Sequence, residues 1–127
     1  MNVILSIKPK YANEIILGRK KIEFRKIVFK QEIDKVYIYS SSPEKKIVGY
    51  FTIKDIVIDT PQHMWELYKT IGSIEKIDFF NYYHGNNSAV GITILKVVKF
   101  KESLDPYKKI KNFKAPQSFM YVNGLIE

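Results

Sequence analysis

Two long runs of β-branched and aromatic residues limit the possible folds most strongly. They cover residues 47–58 and 89–100, and both exceed the usual strand length of ~5 to 6 residues. The first run is long enough to bend across a barrel, and Gly49 lies where a β-bulge or a close approach between backbones would fall. The two runs therefore predict long, bent strands in a small curled sheet.

Four shorter segments also have the composition of strands, namely residues 2–7, 20–27, 35–40 and 119–122. The second of them alternates in period two, which places Ile22 and Phe24 on one face and Lys21, Glu23 and Arg25 on the other. We expect this segment to be a half-buried strand that presents its charges.

Short helical segments separate some of these strands. Residues 9–18 begin with proline and end with glycine, and residues 60–72 have apolar side chains at helical spacing after Thr60-Pro61. Ser73 is a candidate cap for a third short helix that runs through Phe80. Because crossover helices do not regularly separate the strands, the pattern predicts an α+β fold, a small, partly open β-barrel of about five or six strands with two or three short helices.

Length and composition fit one domain over residues 1–127 that buries its own core. The chain has 127 residues, of which 46% are hydrophobic. No cysteine is present, so disulfides and cysteine-ligated metals are excluded, and His63 and His84 are too isolated to form a metal site. We expect neither a metal nor a cofactor. No run of ~18 apolar residues predicts a membrane span, so we expect a cytoplasmic protein.

The basic residues concentrate at the two ends of the sequence. Net charge is +8, with eight Lys or Arg against two acids in residues 1–30 and six against two in residues 99–114. Residues 31–98 carry seven basic side chains against eight acidic ones. If the fold brings the two ends together, they form one positive surface suited to phosphates. The alternative is a solvated surface that keeps the protein soluble.

The segment Gly18-Arg19-Lys20-Lys21-Ile22-Glu23-Phe24-Arg25 carries the strongest candidate chemistry. Arg25 has the planar fork that contacts a phosphate or a base edge, and Lys20 supplies a point charge that binds a phosphate or polarises a carbonyl. Glu23 could orient either cation or accept a base amino group. The alternative is an exterior strand face whose ion pairs each contribute only ~0 to 1 kcal/mol.

Further candidate ligand groups are Lys8 with its neighbour Lys10, the hydroxyl of Ser40 and those of the two serines after it, and Gln117 and Ser118 in the tail. The lysines could instead be solvated, and the serines could satisfy a turn. Tyr121 is a candidate for stacking on a base, or for packing with the tail. Most other aromatic residues are assigned to the core by their spacing, among them Tyr37, Tyr39, Tyr50, Phe79, Phe80, Tyr82 and Tyr83.

The charged segment has the spacing Gly-x-Lys-x-x-Glu-x-Arg, with Gly18, Lys20, Glu23 and Arg25 at the four fixed positions. This spacing resembles the hallmark of the activating signal cointegrator homology (ASCH) domain family, which is related to the PUA-like barrels. Four other segments resemble that family's strands and tail, namely residues 6–11, 36–43, 47–49 and 115–119. The resemblance implies a PUA-like β-barrel with a cleft beside the motif, and a role in RNA metabolism or transcription-linked regulation.

The resemblance leaves the activity open. Some ASCH-like proteins hydrolyse acylated cytidine nucleosides with a lysine that matches Lys20 and a threonine where this chain has Glu23, and a carboxylate cannot replace that hydroxyl nucleophile. Others are ribonucleases, with no motif to carry over residue by residue. The first hypothesis is therefore a module that binds RNA or a nucleotide. The second is a small hydrolase in which Lys20 polarises the scissile group and Glu23 is the general base. The third is a regulator that binds protein partners.

Overall fold

The structure is a computed structural model that describes residues 1–124. Its elements follow in the order β1 (Asn2–Ile7), α1 (Pro9–Ile16), β2 (Ile22–Arg25), β3 (Val36–Ser40), β4 (Lys46–Asp59), α2 (Pro61–Tyr68), α3 (Lys76–Tyr82), β5 (Ala89–Leu104), α4 (Pro106–Lys109) and β6 (Phe119–Val122). Among the described residues, no helix has both the length and the apolar character needed to cross a membrane.

The six strands form one sheet in the order β2-β5-β4-β3-β1-β6. Neighbouring strands pair antiparallel except β1 and β3, which pair parallel. The sheet curls into a half-barrel, so that Arg25 on the edge strand β2 reaches both Ser6 on β1 and Ser118, next to the other edge strand β6. The predicted α+β half-open barrel is confirmed.

The two long strands make this curl possible. β4 and β5 pair along most of their length, and their register shifts at three places, the first between Ile47 and Gly49. A side chain at Gly49 would overlap the carbonyl oxygen of Val98 on β5, so only glycine allows the two backbones to approach this closely. The predicted close approach at Gly49 is therefore present, and the register shift gives β4 the bend that a small barrel requires.

Three hydrophobic clusters fill the fold. The first lies inside the curl and packs α1 residues such as Ile15 on the sheet. The second packs α2 and α3 against β2, with Phe24 and Phe79 in edge-to-face contact at 4.9 Å between ring centres. The third joins β3 to the segment after α4, with Tyr39 and Phe113 in contact. The second and third clusters therefore hold different helices at different parts of the sheet.

Two local expectations were wrong. Ser73 does not cap a helix, because α3 begins after Glu75 and the Ser73 hydroxyl instead donates to Glu14. Of the charges on the predicted strand face, Lys21 is exposed as expected, but Glu23 is only 5% exposed and Arg25 is largely buried. Period-two alternation fixes which residues share a face, but packing from distant parts of the chain decides whether that face is covered.

Candidate functional site

A cleft of about 1080 Å³ opens where the two edges of the half-barrel approach each other. Its floor consists of Ser6, Lys20, Glu23, Arg25 and Ser118. One wall, here called the α3 wall, carries Ile74, Asp78, Phe79, Asn81 and Tyr82. The opposite wall, here called the α4 wall, carries Tyr39, Ser41, Ser42, Lys45 and Tyr107. The two walls belong to the second and third hydrophobic clusters, so the cleft lies between separately packed parts of the fold.

Lys20 is buried in the floor, with only 2% of its surface exposed. Its Nζ donates a hydrogen bond to the carbonyl oxygen of Gly72 at 2.6 Å and lies 3.9 Å from Glu23 Oε1. The same atom lies 5.2 Å from the ring centre of Tyr11, within the range of a cation–π contact. Burial lowers the pKa of Lys20, and the negative charges of Glu23 and Glu14 oppose that shift.

Lys20, which the sequence offers as a point charge near the start of the strand, is held by acceptors from other parts of the chain. Lys20 precedes β2 and lines the cleft although almost all of its surface is buried. A buried ammonium group retains its charge only where acceptors surround it, and here a carbonyl oxygen and a carboxylate supply them. The floor therefore holds a positive charge at a fixed position.

Glu23 and Arg25 form the second part of the floor. Arg25 Nη1 donates to Glu23 Oε2 at 3.1 Å, so the Glu23 carboxylate lies between Lys20 and Arg25 as the motif spacing predicts. Each carboxylate oxygen faces a cation, Oε1 towards Lys20 and Oε2 towards Arg25. This arrangement makes Glu23 better suited to orienting the two cations than to acting as a general base.

Arg25 also joins the two edges of the half-barrel. Its Nη1 donates to the carbonyl oxygen of Ser6 at 3.2 Å, and its Nη2 donates to Ser118 Oγ at 2.9 Å. The Ser6 hydroxyl donates to the carbonyl oxygen of Pro116 at 2.7 Å, which fixes the tail beside β1. The guanidinium group therefore ties the motif to the tail, more than ninety residues later in the sequence.

Glu14 on α1 supports the floor from outside the cleft. Its carboxylate accepts hydrogen bonds from Arg19 at 2.6 Å and from the hydroxyl of Ser73, next to the carbonyl that binds Lys20. These hydrogen bonds lower the pKa of Glu14 to about 2. Glu14 therefore helps to hold Gly72 and Ser73 in place, a contribution that sequence spacing did not reveal because α1 and this loop are distant in the chain.

Six cationic side chains line the cleft against two acidic ones, Glu23 and Asp78. The cations are Lys8, Lys10, Lys20, Arg25, Lys26 and Lys45. The N-terminal basic segment thus faces the cleft as expected, but none of the lysines of residues 99–114 lines it. The tail reaches the site through residues 115–118 instead, so the two basic ends of the chain do not merge into one surface there.

The structure brings most of the predicted site residues together. Lys8, Gln117 and Ser118 line the cleft with the three charged motif residues. Ser40 does not, because it is buried in β3 and its hydroxyl has no hydrogen-bond partner among residues 1–124. Its neighbours Ser41 and Ser42 lie in the following turn and do line the cleft. Tyr121 lies elsewhere, with its hydroxyl accepting a hydrogen bond from the Lys30 backbone.

The sequence did not identify two aromatic residues that line the cleft. Tyr82 was grouped with the core but is 37% exposed on the α3 wall, and Tyr107 is 49% exposed on the α4 wall. Both lie on short helices whose orientation depends on tertiary packing. Among the described residues, no cluster of three or more His, Cys, Asp or Glu side chains is arranged to hold a metal ion.

The chain is similar to known proteins in sequence and in structure. The ASCH domain model matches residues 5–112. A Zymomonas mobilis protein described as an ASCH domain-containing ribonuclease is 25% identical over 122 residues, which cover 94% of this chain and 82% of the relative. Two Ureaplasma parvum proteins, described as ATP synthase subunit alpha and large ribosomal subunit protein uL22, are each 26% identical over 121 residues. The chain spans only 15% and 39% of their respective lengths.

Solved structures agree with the fold. The crystal structure of ASCH from Zymomonas mobilis superposes with a TM-score of 0.88 and 21% identity, and the match covers 95% of this chain and 87% of that one. A variant of the same protein in which phenylalanine replaces a tyrosine gives the same TM-score at 20% identity, with coverage of 95% and 89%. At this level of identity, the likeness establishes a shared fold.

Proposed function

Because this chain belongs to the ASCH domain family, we propose that its cleft binds RNA or a nucleotide, with the motif residues Lys20, Glu23 and Arg25 at the centre of the site. The proposal treats residues 1–127 as one such domain. It assigns the domain to RNA metabolism or transcription-linked regulation in the cytoplasm, in keeping with the absence of cysteine.

The charge distribution of the cleft carries this proposal. Six cations against two acids surround a space of about 1080 Å³, slightly larger than the ~300 to 1,000 Å³ that small-ligand sites usually occupy. Charge of one sign in a concave site raises the local concentration of anions. A phosphate group or a short single strand fits that combination of size and charge better than an apolar ligand does.

Residues of the cleft floor and residues at its rim have different roles in binding. Arg25 and Lys20 are fixed by packing and hydrogen bonds, so little side-chain entropy is lost when they contact a ligand. Lys8 and Lys10 are exposed at the rim and are free to contact successive phosphates. Gln117 and Ser118 offer an amide and a hydroxyl to a base edge. Single-stranded RNA is favoured because unstacked bases expose these edges.

Binding of a short single-stranded RNA should weaken as salt rises. Each phosphate that the cleft neutralises contributes a slope of ~0.7 in the logarithmic salt dependence, so a fourfold rise in salt lowers affinity about 2.5-fold for each phosphate contacted. Fluorescence anisotropy with a labelled oligoribonucleotide measures this slope. An affinity that stays the same from low to high salt would remove the electrostatic basis of the proposal.

Two lysine variants test whether the salt dependence of RNA binding arises in the cleft. Lys8→Ala should reduce the slope by ~0.7 if Lys8 contacts one phosphate. Lys111→Ala is the matched control, because Lys111 is an exposed lysine of the C-terminal basic segment and does not line the cleft. Equal effects of both variants would mean that overall charge, and not the cleft, governs binding.

A second candidate is cleavage of RNA or of a modified nucleoside in the same cleft, with Lys20 and Glu23 as catalytic residues. The Zymomonas mobilis relative described as a ribonuclease favours this candidate. The lowered pKa of Lys20 also favours it, since a buried lysine near a carboxylate is a frequent feature of reactive sites. The contact between Glu23 and Arg25 argues against Glu23 as the general base.

Glu23→Gln separates the two candidates. We expect this variant to bind RNA within about tenfold of the unchanged protein, because the amide keeps the shape of the side chain and a hydrogen bond to its neighbours. We also expect no large loss of any cleavage rate, measured in single-turnover reactions with a labelled oligoribonucleotide. If the rate falls ~100-fold or more while binding persists, Glu23 is a general base and the cleft is catalytic.

A further inference from the structure

Exposed aromatic side chains are confined to the cleft. Among the described residues, Tyr82 and Tyr107 are the only exposed aromatic residues, and both line the cleft. The remaining aromatic residues are at least half-buried. Since exposed aromatic surface costs free energy in water, its restriction to two walls of one cationic cleft points to a ligand with flat apolar faces.

Tyr107 on the α4 wall is both exposed and held in place. Its hydroxyl lies 3.1 Å from the hydroxyl of Tyr39, and its ring meets that of Phe113 edge-on, with centres 5.0 Å apart and planes at 90°. Yet 49% of the residue is exposed. A ring that is fixed before binding loses little conformational entropy when a ligand packs on it.

Tyr82 on the α3 wall has a similar arrangement. Its ring packs edge-on against Tyr83 with centres 4.8 Å apart, and the Tyr83 hydroxyl donates to the carbonyl oxygen of Arg25 at 2.8 Å. Lys26 Nζ lies 4.6 Å from the centre of the Tyr82 ring. This wall therefore pairs an aromatic face with an exposed cation, and a base that stacks on the ring would take the place of Lys26 Nζ there.

We propose that Tyr82 and Tyr107 each stack one base, so that the cleft binds at least three successive nucleotides of single-stranded RNA with the central one at Lys20 and Arg25. This inference rests on the proposed function, because it takes the ligand to be RNA. Stacking on tyrosine tolerates every base, so the two walls add affinity and length preference without adding sequence preference.

Oligouridylates test the inference, because they stack weakly on themselves and leave their bases free. Affinity for uridine monophosphate and for oligouridylates of two to five nucleotides is measured by competition against a labelled strand, with a gel to verify that the probes stay intact. We expect affinity to rise about tenfold or more between one and three nucleotides and to level off thereafter.

Two pairs of variants test whether the tyrosine rings cause the gain in affinity between one and three nucleotides. Tyr82→Leu and Tyr107→Leu should each remove about five- to tenfold of the gain for the trinucleotide and leave the monophosphate affinity unchanged. Tyr82→Phe and Tyr107→Phe keep the rings and should keep the gain. The unchanged monophosphate affinity also shows that the leucine variants are folded.

The possible outcomes distinguish this inference from the proposed function. If mono- and trinucleotides bind equally well, or the leucine variants bind the trinucleotide as tightly as the unchanged protein, the stacking inference is wrong while RNA binding at the floor stands. If phenylalanine variants lose as much as leucine variants, the hydroxyl groups and not the rings bind the ligand. If no nucleotide of any length binds, the proposed function fails and the stacking inference fails with it.

Discussion

Lys20→Met is expected to weaken RNA binding by about 10- to 150-fold, the loss that follows removal of one hydrogen bond to a charged group worth ~1.5 to 3 kcal/mol. Methionine fills most of the space of the lysine stem but carries no charge. The Lys20 ammonium group is fixed by Gly72 and Glu23, so no neighbouring lysine can take its position. Binding is measured by fluorescence anisotropy of a labelled oligoribonucleotide at one fixed salt concentration.

The same change should alter stability only moderately. Loss of the donor leaves the Gly72 carbonyl oxygen without its hydrogen bond, a cost of ~1 to 3 kcal/mol. The methionine variant no longer has to desolvate a buried charge, and this gain offsets part of the loss. We therefore expect a net change below ~2 kcal/mol in the free energy of unfolding. Denaturant titration followed by circular dichroism measures this quantity.

Two neighbouring residues supply the controls. Lys21→Met removes the same charge from the adjacent, exposed position and should leave binding within about twofold. Ile22→Ala empties a fully buried position and should lower the free energy of unfolding by ~2 to 5 kcal/mol. If Lys20→Met leaves RNA binding intact, or unfolds the protein as severely as Ile22→Ala, the assignment of the motif to a functional cleft is wrong.

Arg25→Met should lower the free energy of unfolding by ~3 to 5 kcal/mol, the usual cost of removing one partner from a buried ion pair. The change leaves Glu23 buried with only the more distant Lys20 as a cation, and it removes the donors to Ser6 and Ser118. The tail should therefore detach from β1 before the rest of the fold is lost. Hydrogen exchange at the Ser6 amide, which bonds to the Ser118 carbonyl oxygen, reports that event.

A double-mutant cycle isolates the ion pair. If the buried charge of Glu23 causes most of the loss, Glu23→Gln in the Arg25→Met background should recover ~0.5 to 3 kcal/mol of stability. Arg19→Met is the matched control, because Arg19 pairs with Glu14 at the surface and its loss should lower the free energy of unfolding much less than loss of Arg25. Additive effects of the Arg25 and Glu23 changes would show that the pair is not coupled and that Arg25 stabilises the fold through Ser6 and Ser118 alone.

The elements of the fold could largely be predicted because they depend on local chemistry. Runs of β-branched and aromatic residues marked the strands, Pro9 and Pro61 marked the first turns of α1 and α2, and Gly18 adopts the positive φ of 78° that follows a helix end. Ser73 was the exception. Serine is a residue type that favours N-caps, but the Ser73 hydroxyl donates to Glu14 across the fold and accepts no hydrogen bond from a backbone N–H of α3, which begins only after Glu75.

The sequence predicted which charged residues form the candidate site, but not how deeply they are buried or what they contact. Local spacing brought Lys20, Glu23 and Arg25 together, since three residues in and beside one strand stay close in any fold that contains the strand. Their burial could not be predicted, because the covering groups come from Tyr11, the loop at Gly72 and the tail at Ser118. No local pattern encodes such long-range contacts.

What the sequence by itself determined is thus the set of strands, the curled sheet that two long strands require, and the charged motif with its family resemblance. Tertiary structure alone decided that Ser40 is buried and does not line the cleft, that the lysines of residues 99–114 do not line it, and that Tyr82 and Tyr107 line it on the α3 wall and the α4 wall. The physical reason is that the solvent exposure of a side chain depends on a surface to which several distant segments of the chain contribute. A residue's own neighbours in the chain set its backbone conformation, whereas residues far along the chain set what its side chain meets.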